Sequence, residues 1–169
     1  MERRELGLIN PGGPGTVTVD GTAYSLARLD GLYAGSGSRQ VIFDSLRSDQ
    51  PAPYFLLSSP AHATRPTAAL THETAEATRL GSRETASERT VYKYIHPGGL
   101  ASCQLVMGLT VLEPGSVWNT MPAHTHDRRM GVYCYFDLPA AHRVFHLMGP
   151  PDQTRHVVTA DGQAIVSPP

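Results

Sequence analysis

Two histidines, His124 and His126, stand two residues apart in the stretch Trp118-Asn-Thr-Met-Pro-Ala-His-Thr-His-Asp-Arg-Arg-Met-Gly-Val-Tyr-Cys-Tyr-Phe136. Side chains at i and i+2 of a strand point to the same face. Two imidazoles on one face can share one metal ion, and zinc, iron, manganese and nickel all accept such nitrogen donors. The same spacing occurs in packed or solvent-facing histidines, so the pair alone does not fix a metal. Asp127 follows His126 directly, and strand alternation turns it to the opposite face. The cysteines offer no second metal motif. Cys103 and Cys134 each sit in an apolar, strand-like run, and no Cys-x-x-Cys is present. They read as buried free thiols, since cytosolic thiols stay reduced.

The elements that must position these histidines read as short strands. Gly15-Thr-Val-Thr-Val-Asp20 alternates polar and apolar residues, and Thr22-Ala-Tyr-Ser-Leu26 follows after Asp20-Gly21. Asp-Gly between two such runs predicts a type I′ hairpin, whose central residues both need positive φ. Further strands are expected at 40–43, 53–57, 90–95, 104–107, 132–136, 143–147 and 156–159, and a second Asp-Gly hairpin at Asp161-Gly162 running into 163–166. Residues 61–89 are rich in Thr, Ala, Glu and Arg and poor in large apolar groups. They read as a connector, with a helical turn or two over Thr71–Leu80 and Thr71 as N-cap. Two β modules result, 1–60 and 90–169, and the likeness of Thr16-Val-Thr-Val-Asp-Gly21 to Val157-Val-Thr-Ala-Asp-Gly162 supports a repeat. The fold class is all-β, as a barrel or sandwich.

Composition narrows the function. The 169 residues carry 14 Lys+Arg against 15 Asp+Glu. That balance argues against a sequence-blind nucleic-acid binder, which needs a basic face. It leaves room for a small anionic ligand, which one or two placed arginines can hold. No apolar run approaches the ~18–20 residues of a membrane span. Met1 to Leu6 is charged with no signal core behind it, so a cytoplasmic protein is expected.

The longer string is more specific than the histidine pair. Asn119-Thr-Met-Pro122, His124-Thr-His-Asp-Arg-Arg-Met130, Val132-Tyr133 and Tyr135-Phe136 resemble the zinc-binding segment of the 4-deoxy-L-threo-5-hexosulose-uronate ketol-isomerases, a cupin family. Glu2-Arg-Arg-Glu-Leu-Gly7, Pro60-Ala-His62, Met107-Gly-Leu-Thr110, Val144-Phe-His-Leu-Met-Gly149 and Ile165-Val-Ser-Pro168 extend the resemblance over essentially the whole chain. The resemblance implies a cupin-type jelly-roll in a bicupin arrangement. Residues 1–60 would be the late strands of an N-terminal module and 90–169 a C-terminal module with the His-x-His motif, both barrels incomplete. It further implies one zinc ion, a small sugar-acid substrate, a homo-oligomer, and interconversion of 5-dehydro-4-deoxy-D-glucuronate and 3-deoxy-D-glycero-2,5-hexodiulosonate in pectin and uronate catabolism.

Two departures from the family pattern stand beside this. The family completes its zinc site with a Glu five positions after the second histidine, where this chain has Gly131. It takes a fourth ligand from a strand just past the residues matching Ser167-Pro168, beyond Pro169. Only His124 and His126 carry over, and weak or absent zinc is expected. The reaction needs a cation for the substrate carboxylate, with Arg128, Arg129 and Arg155 as candidates, and a base, with His146 and His156 as candidates. Trp118, Tyr133 and Tyr135 read as core or cavity wall. The alternative reading is a non-catalytic cupin remnant acting as a binding or assembly module. A further one is another metal cupin, such as a dioxygenase.

Overall fold

Strands β1 (Arg4–Ile9) and β4 (Gly31–Ala34) are buried along almost their whole length. The reason is that both of their faces are covered. Leu6 and Leu8 of β1 and Leu32 and Ala34 of β4 form one core cluster with Val17 and Val19 of β2 (Gly15–Val19) and Leu26 of β3 (Thr22–Leu26). The other face of β1 meets β9 (Arg89–Ile95) and the loop before β10 (Met107–Leu112): an added Cβ on Gly7 would lie 2.9 Å from the Ile95 side chain. A strand buried on both faces needs no polar–apolar alternation.

The computed structural model describes all 169 residues, and the chain is all-β, with fourteen strands and no helix. No helix is long and apolar enough to cross a membrane. The chain divides into two units, Met1–Asn119 and Thr120–Pro169.

The first unit holds three sheets. One has the order β6-β1-β4-β7, with β6 at Phe55–Pro60 and β7 at Ala68–Leu70. The second is β3-β2-β5, with β5 at Val41–Ser45. The third is β10-β9-β8, with β8 at Glu76–Leu80. All pairings are antiparallel. The Asp20-Gly21 hairpin forms as read, with φ of 48° and 84° at its two central residues.

The stretch 61–89 supplies two strands, β7 and β8. The helical expectation over Thr71–Leu80 is met only by one turn, in which the Ala75 N–H reaches the Thr71 carbonyl at 3.1 Å. Residues 76–80 then pair with β9, whose free edge offers a full ladder of partners. The run 104–107 also differs from its strand reading. Backbone N–H groups of Cys103, Gln104 and Leu105 bond to the Glu5 carboxylate, so the strand begins only at Met107.

The second unit consists of two antiparallel ribbons. β11 (Gly131–Cys134) pairs with β14 (Ala164–Ser167), and β12 (Val144–Met148) pairs with β13 (Arg155–Thr159). The second Asp-Gly is therefore not a hairpin: β13 and β14 lie in different ribbons. Gly162 has φ of 71° but Asp161 is not left-handed, so the type I′ geometry that folds a strand back on itself is not made.

Candidate functional site

The histidine pair sits in the second unit, on the loop between Asn119 and β11. The strand expected to carry it is not there: Thr120, at φ of 57°, turns the backbone out of the extended region just before it. The loop nonetheless brings the rings together. Their centroids are 4.9 Å apart, edge to face. His124 is exposed and His126 half-buried.

Hydrogen bonds assign the ring nitrogens. His124 Nδ1 lies 3.0 Å from the Pro122 carbonyl, which can only accept, so Nδ1 carries the proton. In the neutral tautomer with the proton on Nδ1, Nε2 bears the lone pair that a metal-ligating imidazole requires. His126 is different. Its Nε2 accepts a 2.8 Å bond from the Arg129 guanidinium. Desolvation, with Arg129 and His124 nearby, holds the His126 imidazole below its ordinary range.

The remaining candidates are distributed by strand alternation. Opposite residues of β12 and β13 share a face, so His146, Val157 and Arg155 lie on one side. His156 lies on the other, with Phe145, Leu147 and Val158. His146 and His156 are thus on opposite faces of the ribbon. Arg128 and Arg155 are both exposed. Arg129 is joined to the histidine pair; no bond or ring contact joins Arg155, His156 or His146 to it.

A pairing not foreseen from the sequence lies between the ribbons. The Tyr135 hydroxyl is 2.6 Å from His146 Nδ1, and the Tyr133 ring centroid is 5.0 Å from that of His146. Tyr133 and Tyr135 lie two residues apart, and both rings reach His146 from one face. What that face meets depends on the partner ribbon, which no local pattern shows.

The profile of the KduI/IolB family matches residues 1–166. The chain belongs to the KduI/IolB family. Curated KduI/IolB relatives include proteins named 4-deoxy-L-threo-5-hexosulose-uronate ketol-isomerase from three organisms. The one from Shouchella clausii is 52% identical over 169 residues, covering 100% of this chain and 61% of the relative. That from Lachnoclostridium phytofermentans is 51% identical over 168 residues, covering 99% and 61%. That from Kineococcus radiotolerans is 52% identical over 171 residues, covering 99% and 61%. The chain thus spans about 61% of the length of these relatives.

Zinc, which the KduI/IolB resemblance implies, can be tested against the donors in place. No three or more His, Cys, Asp and Glu side chains converge anywhere in the chain. Of the two imidazoles, one offers a free nitrogen and the other is capped by a cation. Zinc sites use three or four protein donors. The residues of this chain do not by themselves fit a complete zinc site. Gly131, where the family Glu would stand, has the Tyr133 ring over it: a Cβ there would lie 2.9 Å from Tyr133 Cε2.

Proposed function

We propose that this chain serves a sugar-acid ketol-isomerase, interconverting 5-dehydro-4-deoxy-D-glucuronate and 3-deoxy-D-glycero-2,5-hexodiulosonate in the breakdown of pectin and other uronates. The observation that carries the reading is identity near 50% to ketol-isomerases over 99% of the chain or more. The reaction moves a proton from a carbon beside a carbonyl to its neighbour. It calls for an oxygen-polarising group, a base, and a cation for the carboxylate. Arg129, beside the histidine pair, and Arg155 are the cations proposed for the carboxylate, and His156 is a candidate base. Any zinc is held by His124 and His126, weakly. The ribbons and sheets are read as parts of two cupin barrels, both incomplete, in a cytoplasmic homo-oligomer.

The test is an isomerase assay of the purified chain on the unsaturated uronate product of pectin lysis. Turnover abolished by His124→Ala with His126→Ala is the expected result. Absence of turnover in the wild type at any zinc concentration would remove the reading. A second reading, a sugar-acid-binding module without turnover, is favoured by the two-donor site and by Arg129 on His126. It predicts uronate binding with no isomerisation.

A further inference from the structure

Tyr135 and His146 come from different ribbons of the second unit and meet at 2.6 Å through the phenol oxygen and Nδ1. Each is held from its own side. The Tyr135 N–H bonds to the Gln163 carbonyl at 2.9 Å, and its carbonyl accepts the Gly162 N–H at 2.8 Å. His146 sits mid-strand on β12, opposite Val157, with Tyr133 against its ring. We propose that Tyr135 holds His146 as a neutral imidazole that presents its Nε2–H to a carbonyl or hydroxyl oxygen of a bound sugar acid. The identity of that ligand rests on the isomerase reading above.

The proton positions follow from the partners. Burial pushes the Tyr135 phenol above its ordinary range and the His146 imidazole below its own. At neutral pH the phenol is protonated and the imidazole uncharged. The phenol therefore donates, and Nδ1 accepts. A neutral imidazole has a single N–H, so the proton is on Nε2. That nitrogen has no hydrogen-bond partner in the protein.

The charges around the ring agree. On the facing side of β12–β13 the only charged group is Arg155, two positions from Val157. On the facing side of β11–β14 stand Gly131, Tyr133, Ile165 and Ser167, with no Asp, Glu, Lys or Arg among them. No carboxylate is in place to draw a second proton onto the ring. A neutral N–H can polarise a ligand oxygen without the cost of burying a cation. Tyr135 is then a positioning residue. The competing role is a pin between two ribbons, with no ligand.

The two roles separate in a long-range proton–nitrogen NMR spectrum of the histidines, recorded on the full chain with and without D-galacturonate as the probe. Wild type should show His146 with a bare Nδ1 and a protonated Nε2, and the hexuronate should shift the Nε2 signal. Tyr135→Phe should move both nitrogens toward the tautomer average, raise the His146 titration, and weaken hexuronate binding. His146→Gln keeps an amide donor and should hold affinity within about threefold, while His146→Leu should lose about tenfold. A protonated Nδ1 in the wild type overturns the proposal, as does a His146 signal unmoved by Tyr135→Phe. Equal losses in the Gln and Leu variants also overturn it, by assigning His146 to packing. A His146 signal indifferent to hexuronate overturns it whether or not the sample turns over, and intact turnover in that sample leaves the isomerase reading standing. A clear His146 response in a chain without turnover supports the dyad as a sugar-acid site and removes the isomerase reading instead.

Discussion

Glu5 is fully buried, and five donors replace the water it loses: the Tyr33 and Ser59 hydroxyls and the N–H groups of Cys103, Gln104 and Leu105. Burial alone would raise its pKa, but the backbone N–H groups and the Tyr33 hydroxyl outweigh it and hold the carboxyl at about 2, against 4.5 for a free glutamate. A depressed carboxyl stabilises the fold fully above the unfolded value and loses that contribution as pH falls from about 4.5 toward about 2. The contribution is roughly 3 kcal/mol at neutral pH. Glu5→Gln should therefore be destabilised at pH 7, and the gap from wild type should narrow near pH 3 in urea melts. A gap independent of pH would show that the charge does not matter. The proposed zinc site gives residue 131 a test of its own. Gly131 has an ordinary strand conformation, so Gly131→Glu needs only the Tyr133 ring to swing aside. If that carboxylate reaches the histidine pair, it should tighten zinc by at least about tenfold in a parallel titration of variant and wild type. Equal affinities would mean that residue 131 does not reach the ion. Read from its spacing, the histidine pair needs a strand; the rings do meet, but on a loop that the spacing does not show. The Tyr135–His146 contact was not legible, because it depends on two ribbons that no local pattern relates.

Strands read best where one face is buried and the other is wet. β2 and β3 alternate, and the Asp20-Gly21 turn marks their junction, so the hairpin could be read residue by residue. β1 and β4 gave no strand reading, because burial on both faces removes the alternation and because each carries a glycine, Gly7 or Gly31. The absence of a side chain at Gly7 lets two layers close on it. A Cβ would meet Ile95 Cδ1 at 2.9 Å and Met107 Sδ at 3.2 Å. Gly7→Ala should cost about 1–3 kcal/mol through overpacking, despite the better strand entropy of alanine. Equilibrium unfolding of the variant measures it, and unchanged stability would mean that the sheets separate easily at this point. The β8 error has a matching cause. The run Thr71–Leu80 that contains it, rich in Thr and Ala, has no strong pattern for helix or strand, and the open edge of β9 decides.

At the scale of the chain, the two units differ in how much apolar surface they bury. The first holds nearly all of the buried hydrophobic residues, and in the second only Ile165 is among them. Amides of β1 and β4 should therefore exchange slowest with solvent deuterium, and those of β12 and β13 faster by orders of magnitude, since a two-stranded ribbon is marginal by itself. Uniform protection across both units would contradict this. The same ribbon has a second consequence. Phe145, Leu147 and Val158 share one face of β12–β13 and are 67%, 59% and 49% exposed. A contiguous apolar sheet face in water favours association, because covering it removes about 25 cal/mol for every square ångström buried. Sedimentation of the chain should show mass rising with concentration. Phe145→Ser with Leu147→Ser should lower that association without touching the opposite face, where His146 meets Tyr135. The His146 signal then serves as the control: if it is unchanged and association persists, the sticky surface lies elsewhere, with the exposed Leu46 and Val117 of the first unit the next residues to replace.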